Sequence, residues 1–272
     1  MTQTALVTGA SAGLGLALAE ELLKRDFQVI ATSRDPSRIS LEHPKLTKVA
    51  LNLDDPDSFA REAEGWQKLA GPVSLLINNA GYGQMGPVAE LHWKVLQQQL
   101  HTNTVAPLAL AQALLPQLIE TQGTIVNIGS VSAHLTTPFA GSYCASKSAL
   151  HSLNDALRRE LAPFGVKVQC VMAGGISSDF GKTARAQLDR TFSAQSRYNR
   201  IVEYIQERAE LSQKNGSPAD QVARKIIQTA LAKPHQPYVK VAAGVHQLYN
   251  LSLLPHRLLD RMLSRRFGLS KL

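Results

Sequence analysis

Thr4-Ala5-Leu6-Val7-Thr8-Gly9-Ala10-Ser11-Ala12-Gly13-Leu14-Gly15 decides how the rest of the chain reads. An apolar, strand-like run ends at Thr8, glycines follow at the spacing G-x-x-x-G-x-G, and a helical apolar period opens at Leu14. Glycine lets the backbone turn tightly and approach a ligand closely. The N-terminus of the helix that follows offers free N–H groups and a positive dipole end. Strand, glycine turn and helix in this order suit a pyrophosphate. A turn serving chain reversal alone is the plainer alternative, and its flanking elements argue against it.

The same alternation runs down the chain. Apolar stretches at 4–8, 27–32, 49–53, 74–78, 123–128, 166–172 and 238–241 read as strands. They are rich in Val, Ile and Leu without polar alternation, as parallel strands covered on both faces should be. Helical periods at 14–25, 56–70, 92–119, 142–162 and 218–232 separate them. The pattern predicts a single α/β domain over 1–272, a doubly wound parallel sheet flanked by helices on both faces. The rhythm breaks from about 176 to 215, where polar helix-forming stretches at 182–189 and 199–213 make an insertion expected to cover a ligand cleft.

The 272 residues carry a net charge of +8, and all of it lies at the C-terminal end. Residues 1–196 hold 16 Lys and Arg against 16 Asp and Glu; residues 197–272 hold 13 against 5. Met1 runs almost directly into Ala5-Leu6-Val7, leaving no room for a signal peptide, and no apolar run approaches the roughly 18 residues of a membrane span. Cys144 and Cys170 are too few for a disulfide framework or metal site, which predicts a reducing, cytoplasmic setting. The histidines at 92, 101, 134 and 151 lack metal-ligand spacing and read as core or surface residues.

Tyr143-Cys144-Ala145-Ser146-Lys147 sets a phenol and an ammonium four positions apart on one helix face, with Ser130 thirteen residues upstream. A nearby cation favours the phenolate and is expected to pull the tyrosine below its usual pKa of about 10. That makes a proton donor suited to reducing a ketone or aldehyde.

The glycine turn, Asn78-Asn79-Ala80-Gly81, Asn103-Thr104-Val105-Ala106-Pro107, Ser130 and Tyr143-x-x-x-Lys147 together resemble the short-chain dehydrogenase/reductase family, over residues 1 to about 180. The resemblance implies the Rossmann form of the doubly wound fold and a catalytic set of Asn103, Ser130, Tyr143 and Lys147. In it Tyr143 is the general acid toward the carbonyl oxygen, and Lys147 lowers its pKa and holds the nicotinamide ribose. Ser130 orients the substrate oxygen, and Asn103 anchors a water relaying protons to Lys147. Gly9, Ser11, Gly13, Leu14, Gly15, Arg34, Asn52, Leu53, Asn79, Ala80, Gly81, Tyr143, Lys147, Ile176 and Ser178 fall at cofactor-contacting positions. Ser33 stands where an NAD-preferring member would carry an acid, and Arg34 follows it, suited to clamp a 2′-phosphate with Ser11 and Arg38 as helpers, so NADPH/NADP+ is expected. Members usually carry Asp at Asn52, and Pro-Gly where this chain has Ala173-Gly174-Gly175. Loss of the proline is expected to loosen that turn.

A cleft lined by 132–135, 82–85, Phe139 and the insertion after Ser178 is mainly apolar, which favours a hydrophobic carbonyl substrate. Arg257, Arg261 and Arg265 form a basic stripe in 253–272, beside the apolar Leu258, Leu259, Met262, Leu263 and Phe267. Two readings stay open: a helix lying on an anionic membrane, or a terminal helix packing on the domain. Nucleic acid is disfavoured, since the stripe lacks interleaved aromatics. The segment 263–272 and the 173–178 turn resemble the branch of the family containing acyl-dihydroxyacetone-phosphate reductases, while 143–147 and 162–166 resemble hydroxysteroid and retinol-reducing members. Family members pair as homodimers or homotetramers through helices at 92–119 and 142–162. A nucleotide-binding regulatory protein without turnover is the alternative function.

Overall fold

The computed structural model describes residues 3–214 and 216–272; Met1, Thr2, and residue 215 at the far end of the expected insertion, lie outside them. β1 (Thr4–Val7) is buried along its whole length. It pairs in parallel with β2 (Gln28–Ser33) on one side and β4 (Val73–Asn78) on the other. β3 (Leu46–Ala50), β5 (Thr124–Ile128) and β6 (Lys167–Ala173) extend the sheet. A short ribbon of β7 (Ile176–Ser177) and β8 (Ser217–Pro218) stands apart from it. With β9 (Tyr238–Val241) at the edge, the main sheet has seven parallel strands in the order β3-β2-β1-β4-β5-β6-β9. The order turns back between β1 and β4, so the loops leaving these strands diverge and open a crevice at their C-terminal ends.

Successive residues of each strand face opposite layers. Ala5 and Val7, Leu75 and Ile77, and Val126 and Ile128 pack with Leu18 and Leu22 of α1 (Gly13–Leu23). Val222 and Ile226 of α9 (Ala219–Ala232) close this layer. Leu6, Leu76 and Ile125 face the other way, against Trp66 of α2 (Phe59–Ala70), Leu110 of α4 (Ala106–Ala113) and Leu161 of α6 (Gly141–Leu161). Each such aliphatic side chain contributes about 1.5–3 kcal/mol on burial, so the two layers fix the strand register.

Three segments differ from the sequence reading. The strand expected at 49–53 lies at Leu46–Ala50, set by pairing of Val29 with Leu46 through Ser33 with Ala50. The helix expected over 92–119 is broken into α3 (Trp93–Leu100), a π turn at His101–Val105, α4 and α5 (Leu115–Glu120). Pro107 and Pro116 lack the N–H that would continue the ladder, and Ala106 N–H bonds the His101 carbonyl five residues back. The 173–178 turn is not loosened by its missing proline. Gly174 N–H bonds Val241 O at 2.9 Å, Gly175 N–H bonds Ala243 O at 2.9 Å, and Ser217 N–H bonds Gly175 O at 2.9 Å.

α7 (Phe180–Thr191) and α8 (Val202–Lys214) form a lobe with its own core of Ala184, Leu188, Ile201, Ile205 and Ala209. Met85 and Phe139 join that core and do not line an open cleft as expected from sequence, and Cys144 lies buried beside them. Beyond α10 (Val245–Leu251), the C-terminal segment is a helix, α11 (His256–Arg266), followed by a separate turn at Leu269–Lys271. Phe267 enters the lobe core with Leu263 beside it. Arg266 meets Glu207 through both terminal nitrogens, at 3.3 and 2.9 Å, and the Lys271 ammonium lies 4.9 Å from the Tyr204 ring centre. Gly268 adopts a φ of +76°, and a Cβ there would meet the Tyr204 ring at 2.7 Å, so only glycine lets this ring lie against the turn. Packing is thus one use of the tail. Replacing Phe267 by Ala is expected to destabilise the protein by about 3 kcal/mol in urea unfolding, the usual cost of an emptied aromatic site.

Candidate active site

The glycine turn after β1 is braced from β4. Thr8 Oγ1 accepts from the N–H groups of Asn79 and Ala80 at 2.9 and 3.0 Å. Asn79 Nδ2 donates to the carbonyls of Thr8 and Gly9 at 2.9 and 3.3 Å. Gly9 and Gly13 hold φ of +66° and +55°, and a Cβ at Gly15 would sit 2.2 Å from the Gly9 carbonyl. Ala12 caps α1 without a side-chain acceptor, leaving the first N–H groups of Gly13, Leu14 and Gly15 for another partner. A turn that only reversed the chain would not need this bare cradle at a helix N-terminus. The residues fit a dinucleotide, whose pyrophosphate Gly9, Ser11, Gly13, Leu14 and Gly15 would hold. Asn79 is the brace of that cradle, with its amide turned to the backbone of the turn.

On the adenosine side, Arg34 and Arg38 are exposed and make no ion pair among the described residues. Asp35 does not sit against Arg34, because its carboxylate accepts from Ser37 N–H at 3.1 Å and Ser37 Oγ at 2.6 Å. Those two bonds, the hydroxyl first, hold its carboxyl below the usual range. Asn52 Oδ1 accepts from Asp54 N–H at 3.1 Å, and the Leu53 carbonyl is 2.9 Å from His101 Nε2. Ser178 approaches Gly13, where a Cβ would come within 3.1 Å of it, so the ribbon after β6 closes over the glycine turn. Ile176 packs into the layer shared with α1.

Ser130, at the end of β5, and Tyr143 and Lys147, on α6, converge beside this cradle. α6 is pinned to the sheet by buried amides: Asn78 Nδ2 donates to Asn127 Oδ1 at 2.9 Å, and Asn127 Nδ2 to Asn154 Oδ1 at 3.0 Å. Lys147 is only 6% exposed, and its ammonium donates to the Ile128 carbonyl at 2.7 Å. Burial lowers its pKa to about 8, so it stays mostly protonated at neutral pH. Asn103 sits in the π turn, clamped on Tyr82: Oδ1 accepts from Tyr82 N–H at 3.2 Å and Nδ2 donates to Tyr82 O at 3.0 Å. Nδ2 also donates to Ser146 Oγ at 3.0 Å. The side chain expected to anchor a water therefore ties the 79–82 loop to α6.

Tyr143 departs from the sequence reading. Its phenol is pushed up to about 12 by burial, with the Ser130 hydroxyl pulling it back down. Lys147 does not depress it: the ammonium is held on Ile128, 5.9 Å from the ring centre. A phenol in this state is a proton donor across the neutral range.

Three participants escape sequence reasoning. The Phe180 ring meets Tyr143 edge-on at 5.4 Å, occupying the space that Gly83 leaves free. His151 accepts from Ser130 N–H at 3.3 Å through Nε2, so its proton sits on Nδ1, and it positions the serine. Burial first, then His134 and Lys147, drive its pKa down to about 3 against the pull of Asp155 one turn on, so it stays neutral. Arg208 of α8 reaches the loop before α6, donating from Nε to Thr137 Oγ1 at 2.8 Å. Spacing in the chain signals none of these contacts.

A strand–glycine–helix cradle beside a serine, tyrosine and lysine defines a dinucleotide-dependent oxidoreductase site. The chain belongs to the short-chain dehydrogenase family, whose pattern, described as short chain dehydrogenase, matches residues 3–189. It is 30% identical over 276 residues to a short-chain dehydrogenase/reductase of Pestalotiopsis microspora, spanning 98% of this chain and 94% of that one. It is 36% identical over 176 residues to the NADPH-dependent 1-acyldihydroxyacetone phosphate reductase of Schizosaccharomyces pombe, spanning 64% of this chain and 60% of that one. A solved short chain dehydrogenase from Burkholderia cenocepacia in complex with NADP superposes with a TM-score of 0.75 at 25% identity, covering 96% of this chain and 97% of that one.

Because Lys147 binds its proton less tightly folded than unfolded, its burial costs stability in full below about pH 8, and the cost fades as pH rises toward the unfolded value of 10.5. A shift of this size corresponds to about 3 kcal/mol. The stability of Lys147→Met relative to the parent should therefore fall by about 3 kcal/mol between pH 7 and pH 10.5 in urea unfolding. A gap independent of pH would contradict the buried ammonium.

Proposed function

We propose that the protein is an NADPH-dependent carbonyl reductase acting on a hydrophobic ketone or aldehyde. The observation that carries this reading is the convergence of Ser130, Tyr143 and Lys147 beside the braced glycine cradle. When bound, NADPH supplies the hydride. Tyr143, protonated at neutral pH, gives its proton to the carbonyl oxygen as charge develops there, and Ser130, seated by His151, hydrogen-bonds and orients that oxygen. The Lys147 ammonium adds positive charge behind the phenol and a donor for the nicotinamide ribose. Ile176 and Ser178 would hold the nicotinamide carboxamide, and the α7–α8 lobe excludes water from the reacting atoms, with Phe180 as its apolar wall. Preference for NADPH over NADH is supported by Arg34, which has no acidic partner among the described residues, and by Ser33 in place of an acid. The name of the Schizosaccharomyces pombe relative supports acyl-dihydroxyacetone phosphate as substrate, and the apolar lobe also suits steroid or retinoid carbonyls or aryl ketones.

The tail supports a peripheral membrane contact as well as packing. Leu253 is 69% exposed and Leu258 and Met262 are 45% and 44% exposed, directly beside Arg257, Arg261 and Arg265. Each arginine held near an anionic surface is worth about 1 kcal/mol. No helix among the described residues is long and apolar enough to cross a membrane. Val105, on the helix run that family members use to pair, is 45% exposed, which supports a homodimer or homotetramer.

Screening NADPH and NADH oxidation with acyl-dihydroxyacetone phosphate, a steroid ketone, retinal and an aryl ketone tests the activity. At least one substrate is expected to turn over, faster with NADPH, and Tyr143→Phe should lose at least about 1,000-fold in kcat while NADPH binding by fluorescence persists. Binding without consumption of any carbonyl would favour a regulatory nucleotide-binding protein. In flotation with anionic liposomes, the parent should rise with the vesicles and Arg257→Glu/Arg261→Glu/Arg265→Glu should remain at the bottom. Equal behaviour of the two would leave the tail a packing element.

A further inference from the structure

Arg208 lies on α8 between the buried Ile205 and Ala209, with the buried Ile201 in the turn just before the helix. Its neighbours in the lobe have acids: Arg185 meets Asp189 at 3.0 Å and Glu210 at 3.3 Å, and Arg266 meets Glu207 at 2.9 Å. Arg208 has none within 4.0 Å among the described residues. Its single side-chain bond is from Nε to Thr137 Oγ1, and Nη1 and Nη2 bond no described residue. The residue is half-buried, and the part of its guanidinium withdrawn from water lowers its pKa against the opposing pull of the Cys144 thiol and the Tyr143 phenol. Its own charge in turn draws the phenol down. Arg208 is thus a cation near the catalytic tyrosine in addition to the Lys147 ammonium, which lies 5.9 Å from the ring centre.

A guanidinium taken out of water without an anion is costly, and such groups are held in place by a partner or by use. With Nε fixed on Thr137, the planar edge formed by Nη1 and Nη2 is preorganised for a two-oxygen acid, a carboxylate or phosphate. A neutral steroid or retinoid carbonyl would leave this edge unmatched. We infer that Arg208 receives the acidic group of the substrate, so that the site selects a lipophilic ketone bearing a phosphate or carboxylate close to the carbonyl that faces Tyr143. The apolar remainder would lie along Phe180. This assignment rests on the carbonyl-reductase reading for its reaction, and on the unpaired guanidinium alone for its anion.

Two measurements separate those supports. With NADPH, kcat/KM is compared for hexadecanoyl-dihydroxyacetone phosphate, a long-chain 3-oxo carboxylic acid and the methyl ester of that acid. The parent should favour an anionic ketone over the ester, and Arg208→Met should reduce that preference about 100-fold, chiefly through KM, as expected when a charge-assisted bond is lost. Arg208→Lys should restore part of it. Which anionic substrate loses more distinguishes a phosphate from a carboxylate. Separately, calorimetry with octyl phosphate and octanoate at submicellar concentration should show binding to the parent that is at least tenfold weaker in Arg208→Met. Should Arg208→Met fail to fold, Thr137→Val, which frees the Nε anchor, is expected to weaken octyl phosphate or octanoate binding at least threefold. An unchanged preference together with unchanged amphiphile binding overturns the assignment. Arg208-dependent amphiphile binding without turnover of any ketone would sink the reductase reading and leave the anion site standing.

Discussion

A single buried ammonium sets the terms for the rest of the molecule. Lys147 is the only Lys, Arg, Asp or Glu among the buried described residues, and no carboxylate neutralises it. Its partner is the Ile128 carbonyl, available because β5 ends there and the backbone turns away toward Ser130. A charge in that position is tolerable only if its surroundings are polar, fixed and complete. The chain of amides from Asn78 through Asn127 to Asn154 and the Asn103 clamp on Tyr82 supply that rigidity. The π turn at His101–Val105 places Asn103 where a regular helix would carry it past the site.

The cofactor cradle answers to the same geometry. Its glycines lie in the turn after β1 and at the start of α1, but its brace comes from the end of β4, and the catalytic groups come from the end of β5 and from α6. These meet because the sheet order turns back between β1 and β4, bringing two loops together at one crevice. Ser178 then reaches over Gly13, so the element that follows β6 covers what the first strands built.

Most of this architecture is legible in the chain. Val, Ile and Leu runs without polar alternation mark strands buried on both faces, and Gly9, Gly13 and Gly15 mark a backbone that must turn and stay bare. Period alone predicts one helix over 92–119 because it carries no penalty for Pro107 and Pro116, whose missing N–H groups break the ladder. The state of Tyr143 is hidden from the sequence for a different reason. Spacing of four places Lys147 on the same helix face but says nothing of the Ile128 carbonyl that claims the ammonium, nor of Phe180, which closes over the phenol. His151, Phe180 and Arg208 touch the site through partners far off in sequence, so only the folded chain reveals them.

The brace across the glycine turn also orders events in time. Asn79 donates to the Thr8 carbonyl across a sequence separation of 71 residues. Closing so long a loop is slow beside local helix formation. A chain emerging from the ribosome therefore exposes Thr8–Gly15 long before Asn79 exists to hold it. The nucleotide cradle is a late product of synthesis, assembled only when the fourth strand slots beside the first.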